Sequence, residues 1–333
     1  MMRHFPFLIL LFAAPAGAAE ADIRLDAPVD CTGTRLCYVQ NFVDRDPGPG
    51  FLDHRCGLLG YDGHTGTDIA VANGKEMRRG VPVLAAAAGR VRAVRDGMAD
   101  VHMREADPAS LKDRALGNAV ILDHGNGWQT RYGHLRRGTV RVRPGEQVAA
   151  GSVLGEIGLS GRTEFPHLHF EVRLDEQVID PYLGADAPAG CGAPGRPLWS
   201  ARAGALLTYR PAGIVDAGFA GEAPVKEKAE AGLYDGVVLD GNARVLTFWY
   251  RAWGIGPEDR RRMRLIGPSG EILAESAGQR VDRHKAQWFE YAGISRRSGT
   301  LAPGIYRGEI RIERRAADGS PEVIELSRSI ERR

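Results

Sequence analysis

The sequence predicts a mainly β protein in which an antiparallel sheet is followed by a second, sandwich-like β domain. Glycine supplies 43 of the 333 residues, and short alternating runs of polar and apolar residues outnumber runs with a helical period. A Gly-Asn-Gly turn at residues 125–127 separates two such runs, 119–124 and 128–132. This arrangement is a strong signal for a β-hairpin. Antiparallel strands joined by tight turns are therefore expected.

The first two regions of the mature chain differ in composition. Residues 22–60 are rich in Pro, Gly and Asp, which favours an extended lead-in over an independent domain. Residues 61–183 are a domain of short strands, with the alternating pattern broken at residues 97–116. We expect that segment to be a surface insertion with a short helix, overhanging the site described below. The remaining predicted strands of this domain are 81–85, 89–94, 148–157 and 167–174.

The C-terminal part of the chain reads as a linker and a separate domain. Residues 184–204 are rich in Ala, Pro and Gly, as in a linker, and residues 205–333 return to strand patterns. Runs 246–253 and 306–313 alternate as half-buried strands do, and their spacing suggests a β-sandwich. Its tryptophans are expected to fill the sandwich core, with a glycan-stacking surface as the alternative; they are Trp249, Trp253 and Trp288. The run Arg260–Arg262 is expected in a solvated turn.

Residues 1–18 have the pattern of a signal peptide. Arg3 precedes the apolar run 5–14, and Ala16-Gly17-Ala18 provides the small residues of a cleavage site. The apolar run is too short to cross a bilayer, which takes about 20 residues. We expect export and cleavage, with an uncleaved anchor as the alternative, and no membrane span in the mature chain.

The cysteines agree with export, and the net charge argues against a nucleic-acid partner. The four cysteines allow two disulfides, and we favour Cys31–Cys37 with Cys56–Cys191 among three connectivities. A Cys/His zinc site is the alternative, but the CxxC spacing is missing. The formal net charge of +2 is no signature of nucleic-acid binding.

Five residues form a candidate metal site. His64 and Asp68 flank a glycine-rich turn, while His167 and His169 share one face of a predicted strand because side chains alternate. Alternation along residues 130–134 aims His134 at the same concavity. Each pattern alone is more often a turn or a solvated strand face. Together, imidazoles and one carboxylate are the set from which catalytic zinc sites are built.

These motifs carry a family resemblance. The HxxxD run, the later Tyr-Gly-His-Leu and the HxH in Pro-His-Leu-His-Phe-Glu-Val resemble the M23 metallopeptidases, the lysostaphin and LytM-like group. The resemblance spans residues 61–183 and implies an antiparallel LytM-like peptidase domain. It also implies zinc (Zn2+) held by His64, Asp68 and His169, with His134 and His167 as the catalytic histidines. The insertion at 97–116 is longer than the usual family connection.

The resemblance implies a zinc metalloendopeptidase that hydrolyses peptide bonds in peptidoglycan stems or cross-links, and the signal-peptide pattern predicts that it is exported, with the periplasm as the expected location. Three protein ligands leave a coordination position for the attacking water, which the two remaining histidines assist. The alternatives are a non-catalytic relative that activates another cell-wall hydrolase, and a peptidase of glycine-rich proteins. Glu171 is expected to face solvent, with a supporting role at the metal as its alternative. His54, His102, His124 and His284 are expected in surface or turn positions, and the oligomeric state stays open.

Overall fold

A computed structural model describes residues 23–333 except residues 35, 279 and 317–318. The predicted signal peptide at residues 1–18 lies outside the described residues. In the described part of the chain, no helix has both the length and the apolar character needed to cross a membrane.

The first domain is built on an eight-stranded antiparallel sheet. Seven strands follow the order β1-β2-β9-β6-β5-β4-β7, and β10 pairs with β9. The predicted hairpin across residues 125–127 is present as β5 and β6. Strands β3 and β8 form a separate two-stranded sheet. The bounds are β1 (Cys37–Asn41), β2 (Thr67–Val71), β3 (Pro82–Leu84), β4 (Gly89–Arg95), β5 (Asn118–Gly125), β6 (Trp128–Leu135), β7 (Gln147–Val148), β8 (Val153–Glu156), β9 (His167–Leu174) and β10 (Gln177–Ile179).

The lead-in at residues 22–60 contributes more to the first domain than the sequence predicted. Its strand β1 pairs with β2 at the edge of the large sheet. Leu25, Val29 and Phe42 from the same region are buried in the core that underlies this sheet. The segment is thus part of the first domain's hydrophobic core, which its Pro- and Gly-rich composition did not indicate.

Two short helices flank the sheet. Helix α1 (Gly74–Arg79) is capped by Asn73, whose side-chain oxygen accepts from two backbone N–H groups. Helix α2 (Pro108–Leu111) lies in the insertion, as expected, with Asp107 as its N-cap. A backbone bridge between Asp100 and Ser160 fastens the insertion to the domain.

The C-terminal region forms the predicted second β domain. A three-stranded sheet, β11-β12-β15, packs against a four-stranded sheet, β14-β13-β16-β17, around a shared apolar core. Strand β16 alternates between buried and exposed side chains as predicted. The bounds are α3 (Ala201–Leu206), β11 (Gly213–Ala220), α4 (Lys226–Glu230), β12 (Val245–Ile255), β13 (Arg260–Ile266), β14 (Ile272–Ser276), β15 (Lys285–Ser295), β16 (Gly304–Arg315) and β17 (Pro321–Arg332).

Strand β12 does not alternate, contrary to the prediction, because both of its faces are covered. Its even-numbered residues Leu246 to Ala252 enter the sandwich core. On the opposite face, Trp249 joins a small cluster outside that core, and Trp253 packs into the core of the first domain. The prediction that these two tryptophans fill the sandwich core is therefore wrong. Trp288 does pack against the sandwich core, partly buried.

The predicted turn at Arg260–Arg262 is wrong as well, since these residues begin strand β13. Arg261 is buried and lies over the ring of Trp288, with its guanidinium carbon 4.4 Å from the ring centroid. Its neighbours in the run are exposed, as alternation on a strand requires.

Several buried contacts join the two domains. The ring of Tyr38 stacks on Trp253 with centroids 4.4 Å apart. The amide of Asn73 donates to Asp216 at 2.8 Å, and the buried Arg251 donates to the carbonyl of Ala72 at 2.8 Å.

Both favoured disulfides are present in the structure. They are Cys31–Cys37 and Cys56–Cys191. The second bond attaches the region predicted as a linker, residues 184–204, to the segment just before the site. Leu198 and Trp199 of the same region are buried in the first domain's core, so this linker is largely fixed to that domain.

Candidate metal centre

Asp68 and His169 lie directly opposite each other on neighbouring strands. Strand β2 pairs with β9 in a register that places Asp68 against His169. Side chains paired in this way share one face of a sheet. Nδ1 of His169 lies 2.8 Å from Oδ1 of Asp68. The two predicted ligands therefore meet because of strand register.

His64 reaches the same carboxylate from the turn before β2. Its Nδ1 lies 2.6 Å from the carbonyl oxygen of Phe42, which can only accept, so Nδ1 donates and the neutral ring leaves Nε2 free. That Nε2 is buried without a hydrogen-bond partner in the described structure, 3.2 Å from Oδ1 of Asp68. A buried, unpartnered imidazole nitrogen beside a carboxylate fits a metal ligand.

His167 and His134 complete the cluster. Nδ1 of His167 donates to the carbonyl of Phe165 at 2.8 Å, and its Nε2 lies 3.3 Å from Oδ1 of Asp68. Nδ1 of His134 donates to the carbonyl of Ser160 at 2.7 Å. In both neutral rings the lone pair is therefore on Nε2.

His134 arrives at the site by a different route from the one predicted. Tyr132 pairs with Phe170, and both rings lie in the apolar core. Strict alternation would send His134 to that face too. Instead, its φ of +59° turns the backbone at the end of β6, which is an unusual conformation for a non-glycine residue. The side chain therefore joins the face of His169.

Two ligand sets of three are possible within this cluster. The atoms of His64, Asp68 and His169 lie within 4.8 Å of one another, and so do those of His134, His167 and His169. The first set is the one predicted from the sequence. Only it combines two imidazoles with a carboxylate, and only it contains the unpartnered Nε2 of His64.

The electrostatics of the cluster centre on Asp68. Burial acts to raise the pKa of Asp68, but His64, His167 and His169 outweigh it and hold that pKa well below its ordinary value. Burial acts to lower the pKa of His64, but the Asp68 carboxylate raises it. For His134, burial and the nearby histidines lower the pKa well below its ordinary value. His134 is therefore neutral at physiological pH.

Sequence reasoning missed the groups that orient these side chains. The amide of Asn41, on β1, donates to Oδ2 of Asp68 at 2.8 Å. Gly66 leaves the space in which the ring of His169 packs, because a Cβ there would lie 2.6 Å from Cε1 of that ring. The orienting carbonyls carry no sequence signal, since any residue can supply them. The glycine within the HxxxD run was a visible signal.

Glu171 is buried, so the expectation that it faces solvent is wrong. Its carboxylate accepts from Nε of Arg173 at 2.8 Å and lies 3.9 Å from Nη1 of Arg131. It lies on the same face of β9 as His169. The cations of two arginines, rather than water, compensate its charge.

Of the four histidines expected elsewhere, none belongs to the cluster, but His54 is not on the surface. It is buried with its ring stacked on Tyr182, and burial lowers its pKa to about 4. His102 accepts a hydrogen bond within a turn, as expected. Nδ1 of His124 donates to the carbonyl of Ala88 at 2.7 Å, and its Nε2 lies 2.8 Å from Oγ1 of Thr130. His284 is partly buried in the C-terminal domain.

Four of the five residues, Asp68, His134, His167 and His169, line a cleft of ≈ 920 Å³, and His64 lies beside Asp68. Met103 and Leu116 of the insertion form part of the cleft wall, so the segment borders the site as expected. The backbone of Leu116 also accepts from the N–H of His134 at 2.8 Å. The insertion therefore both narrows the cleft and supports one of the site histidines.

Residues 62–181 match the family model described as Peptidase family M23. The chain contains an M23 peptidase domain. This confirms the resemblance carried by the motifs, and it places all five site residues inside the matched region. Strand β1, with Asn41, lies outside it.

Two relatives are similar to a little over a third of the chain. The DD-carboxypeptidase/endopeptidase Mpg of Neisseria meningitidis is 33% identical over 118 residues, which are 35% of this chain and 22% of Mpg. The peptidoglycan DD-endopeptidase ShyB of Vibrio cholerae is 31% identical over 125 residues, 38% of this chain and 24% of ShyB. The chain thus spans about a quarter of these relatives' length.

A solved structure with similarity to the chain is described as a zinc containing peptidase from Vibrio cholerae. It is 26% identical, covers 44% of this chain and 39% of its own, and has a TM-score of 0.28.

Proposed function

We propose that this protein is an exported zinc metalloendopeptidase that hydrolyses peptide bonds in peptidoglycan stems or cross-links. The observation that carries the proposal is the convergence of His64, Asp68 and His169, with His134 and His167 beside them, in one cluster that borders a cleft of an M23 domain. Similar proteins named as peptidoglycan endopeptidases support the substrate class.

In the proposed site, His64, Asp68 and His169 hold zinc. When bound, zinc supplies Lewis-acid polarisation of the scissile carbonyl and of the attacking water. Asn41 keeps the Asp68 carboxylate in one orientation through its hydrogen bond. Gly66 allows the His169 ring to lie against the turn.

His134 and His167 carry the proton transfers in this proposal. Each ring is fixed through Nδ1 by a backbone carbonyl, which leaves Nε2 as the atom that accepts or donates a proton. Burial lowers the pKa of His134, so its ring is neutral and its Nε2 carries the lone pair that accepts a proton from the attacking water in this proposal. The ring of His167, whose centroid lies 4.7 Å from that of His134, assists the leaving amine in this proposal.

Export is part of the proposal. The signal-peptide pattern at residues 1–18 and two disulfides both suit an oxidising compartment such as the periplasm. Trapping the mature N-terminus from periplasmic extracts by mass spectrometry would test the cleavage near residue 18.

Digestion of purified peptidoglycan tests the activity. Mass spectrometry of the released muropeptides should show new amine ends that disappear when a chelator is present and return with added zinc. A chelator-insensitive digestion, or none by the zinc-loaded protein, would contradict the proposal. The alternative of a non-catalytic activator predicts that the chain releases muropeptides only when a second hydrolase is present.

A further inference from the structure

The cleft around the metal centre is not formed by the M23 domain alone. Lys226, at the start of α4, and Ala286 and Gln287, on β15, line the same cleft as four of the five site residues. We propose that the C-terminal domain is one wall of the substrate groove, and that Lys226 binds a carboxylate of an acidic peptide substrate. The inference rests on the proposed function and deepens it.

The wall is held in place next to the metal centre. Nε2 of Gln40 donates to the carbonyl of Ala286 at 2.8 Å, while the adjacent residue Asn41 bonds to Asp68. Two consecutive side chains of β1 thus connect the C-terminal wall with a metal ligand. On the far side of α1, Arg78 donates to the carbonyl of Ala231 at 2.9 Å. A wall fixed by such contacts can present a side chain to substrate at a defined position.

The charges lining the cleft indicate what kind of peptide fits. Four carboxylates and four fixed cations line it, so their formal charges cancel and a bound divalent cation leaves the cleft at +2. A positive groove favours an anionic ligand and rejects a cationic one. The carboxylates belong to Asp62, Asp68, Glu164 and Glu171, and the cations to Arg131, Arg162, Arg173 and Lys226.

Lys226 can turn toward a substrate without leaving the carboxylate of its present partner uncompensated. Its side chain is 42% exposed, and Nζ lies 3.3 Å from Oε1 of Glu230. Glu230 also lies 4.0 Å from the guanidinium of the buried Arg251. Arg251 therefore continues to compensate Glu230 when Lys226 moves. By contrast, the cleft's Arg131 and Arg173 are engaged with buried Glu171.

Lys228 offers a matched control on the same helix. Its side chain is 46% exposed and pairs with Glu222 at 2.7 Å, so it resembles Lys226 in exposure and in having a carboxylate partner. It is not among the residues that line the cleft. Reversing the charge at either position changes the net charge of the protein equally.

Binding to zinc-loaded full-length protein tests the inference without turnover. The probe is a dye-labelled Ala-Glu-Lys-Ala-Ala peptide with N-methylated amide bonds, compared with its Gln counterpart by fluorescence anisotropy. Lys226→Glu should lower the affinity for the Glu peptide by about tenfold and the affinity for the Gln peptide by less than about twofold. Lys226→Gln should give a smaller loss of the same selectivity, and Lys228→Glu should leave both affinities unchanged.

Equal losses for the two peptides, or unchanged affinity of a folded, zinc-loaded Lys226→Glu protein, would overturn the inference. Binding and hydrolysis are read separately. Wild-type protein that binds the Glu peptide selectively through Lys226 but releases no muropeptides would refute the proposed activity alone. Wild-type protein that digests peptidoglycan while Lys226→Glu binds both peptides normally would refute the groove wall alone.

Discussion

The amide of Asn41 donates a 2.8 Å hydrogen bond to Oδ2 of Asp68, while Oδ1 of the same carboxylate faces the nitrogens of three histidines. The edge strand β1 thereby orients one oxygen of the carboxylate, and the other oxygen faces the histidine cluster. Asn41 lies upstream of the region that matches the M23 model. One residue of the candidate metal centre is thus hydrogen-bonded to a side chain that the family match does not include.

Replacing Asn41 should loosen the metal centre. Asn41→Ala leaves Asp68 free to rotate, and we expect zinc affinity to fall by about 10- to 100-fold, the usual effect of losing a hydrogen bond to a ligand. Competition with a chromophoric chelator measures this. Gln40→Ala is the control, since the neighbouring side chain bonds to Ala286 and not to Asp68. Unchanged zinc affinity in Asn41→Ala would show that Asp68 needs no such support.

The proposed division between ligands and proton carriers predicts two different losses. His169→Ala should abolish stoichiometric zinc retention, whereas His134→Ala should retain zinc and lose hydrolysis. Zinc content by atomic absorption, together with muropeptide release, separates the two. His102→Ala, in the insertion, should change neither. If His169→Ala bound zinc at one equivalent and cleaved normally, the ligand assignment would be incorrect.

Gly66 should tolerate no side chain. A Cβ at this position would lie 2.6 Å from Cε1 and 2.7 Å from Nε2 of His169, and 2.9 Å from the carbonyl oxygen of Phe170. Gly66→Ala should therefore displace the ring and reduce zinc affinity by at least about tenfold, while the β-rich circular dichroism spectrum is retained. Gly221→Ala, where a Cβ meets open space, should leave zinc binding unchanged. Wild-type affinity in Gly66→Ala would contradict the packing argument.

Asp180 should make stability depend on pH. Burial raises its pKa from 3.8 to about 6, and its Oδ2 has no hydrogen-bond partner in the described residues. The folded state therefore binds the proton more tightly than the unfolded state. The resulting contribution of Asp180 to the free energy of unfolding is fully present below about pH 4 and is lost as the pH rises through about 6.

Asp180→Asn removes the loss of stability that the ionisation of Asp180 causes at high pH. At pH 8 it should raise the free energy of unfolding by up to about 3 kcal/mol relative to wild type, and near pH 4 the two should be similar. Urea unfolding at both pH values measures the difference. Asp186→Asn, at an exposed carboxylate, is the control and should shift stability by less than about 0.5 kcal/mol at either pH. A pH-independent difference for Asp180→Asn would contradict the assignment.

The strands and the cluster could be predicted from the sequence because their signals are local. The hairpin follows from a Gly-Asn-Gly turn, and the HxH pair projects to one side of β9 because strand side chains alternate. His134 was identified from its motif, but its predicted orientation was based on alternation. The structure brings it to the site through a positive φ instead, and nothing in the run 130–134 specifies that backbone turn.

The burial of several polar residues could not be predicted, because it depends on the packing of neighbouring strands and loops. Glu171 is buried beside arginines of its own sheet, and His54 is buried beneath Tyr182. Strand β12 has the composition of a half-buried strand, yet the first domain covers part of its second face. Such burial results from how separate elements pack together, about which local periodicity carries no information.

The burial of β12 on both faces also limits how this protein can be divided. Trp253 lies in the apolar core of the first domain. The region that matches the M23 model, residues 62–181, is therefore smaller than the cooperative folding unit. A fragment cut to the family's borders would lose β1 and expose the surface on which Trp253 packs. A segment moved into a chimeric protein, or exchanged between genes by recombination, should therefore include the second domain of this chain.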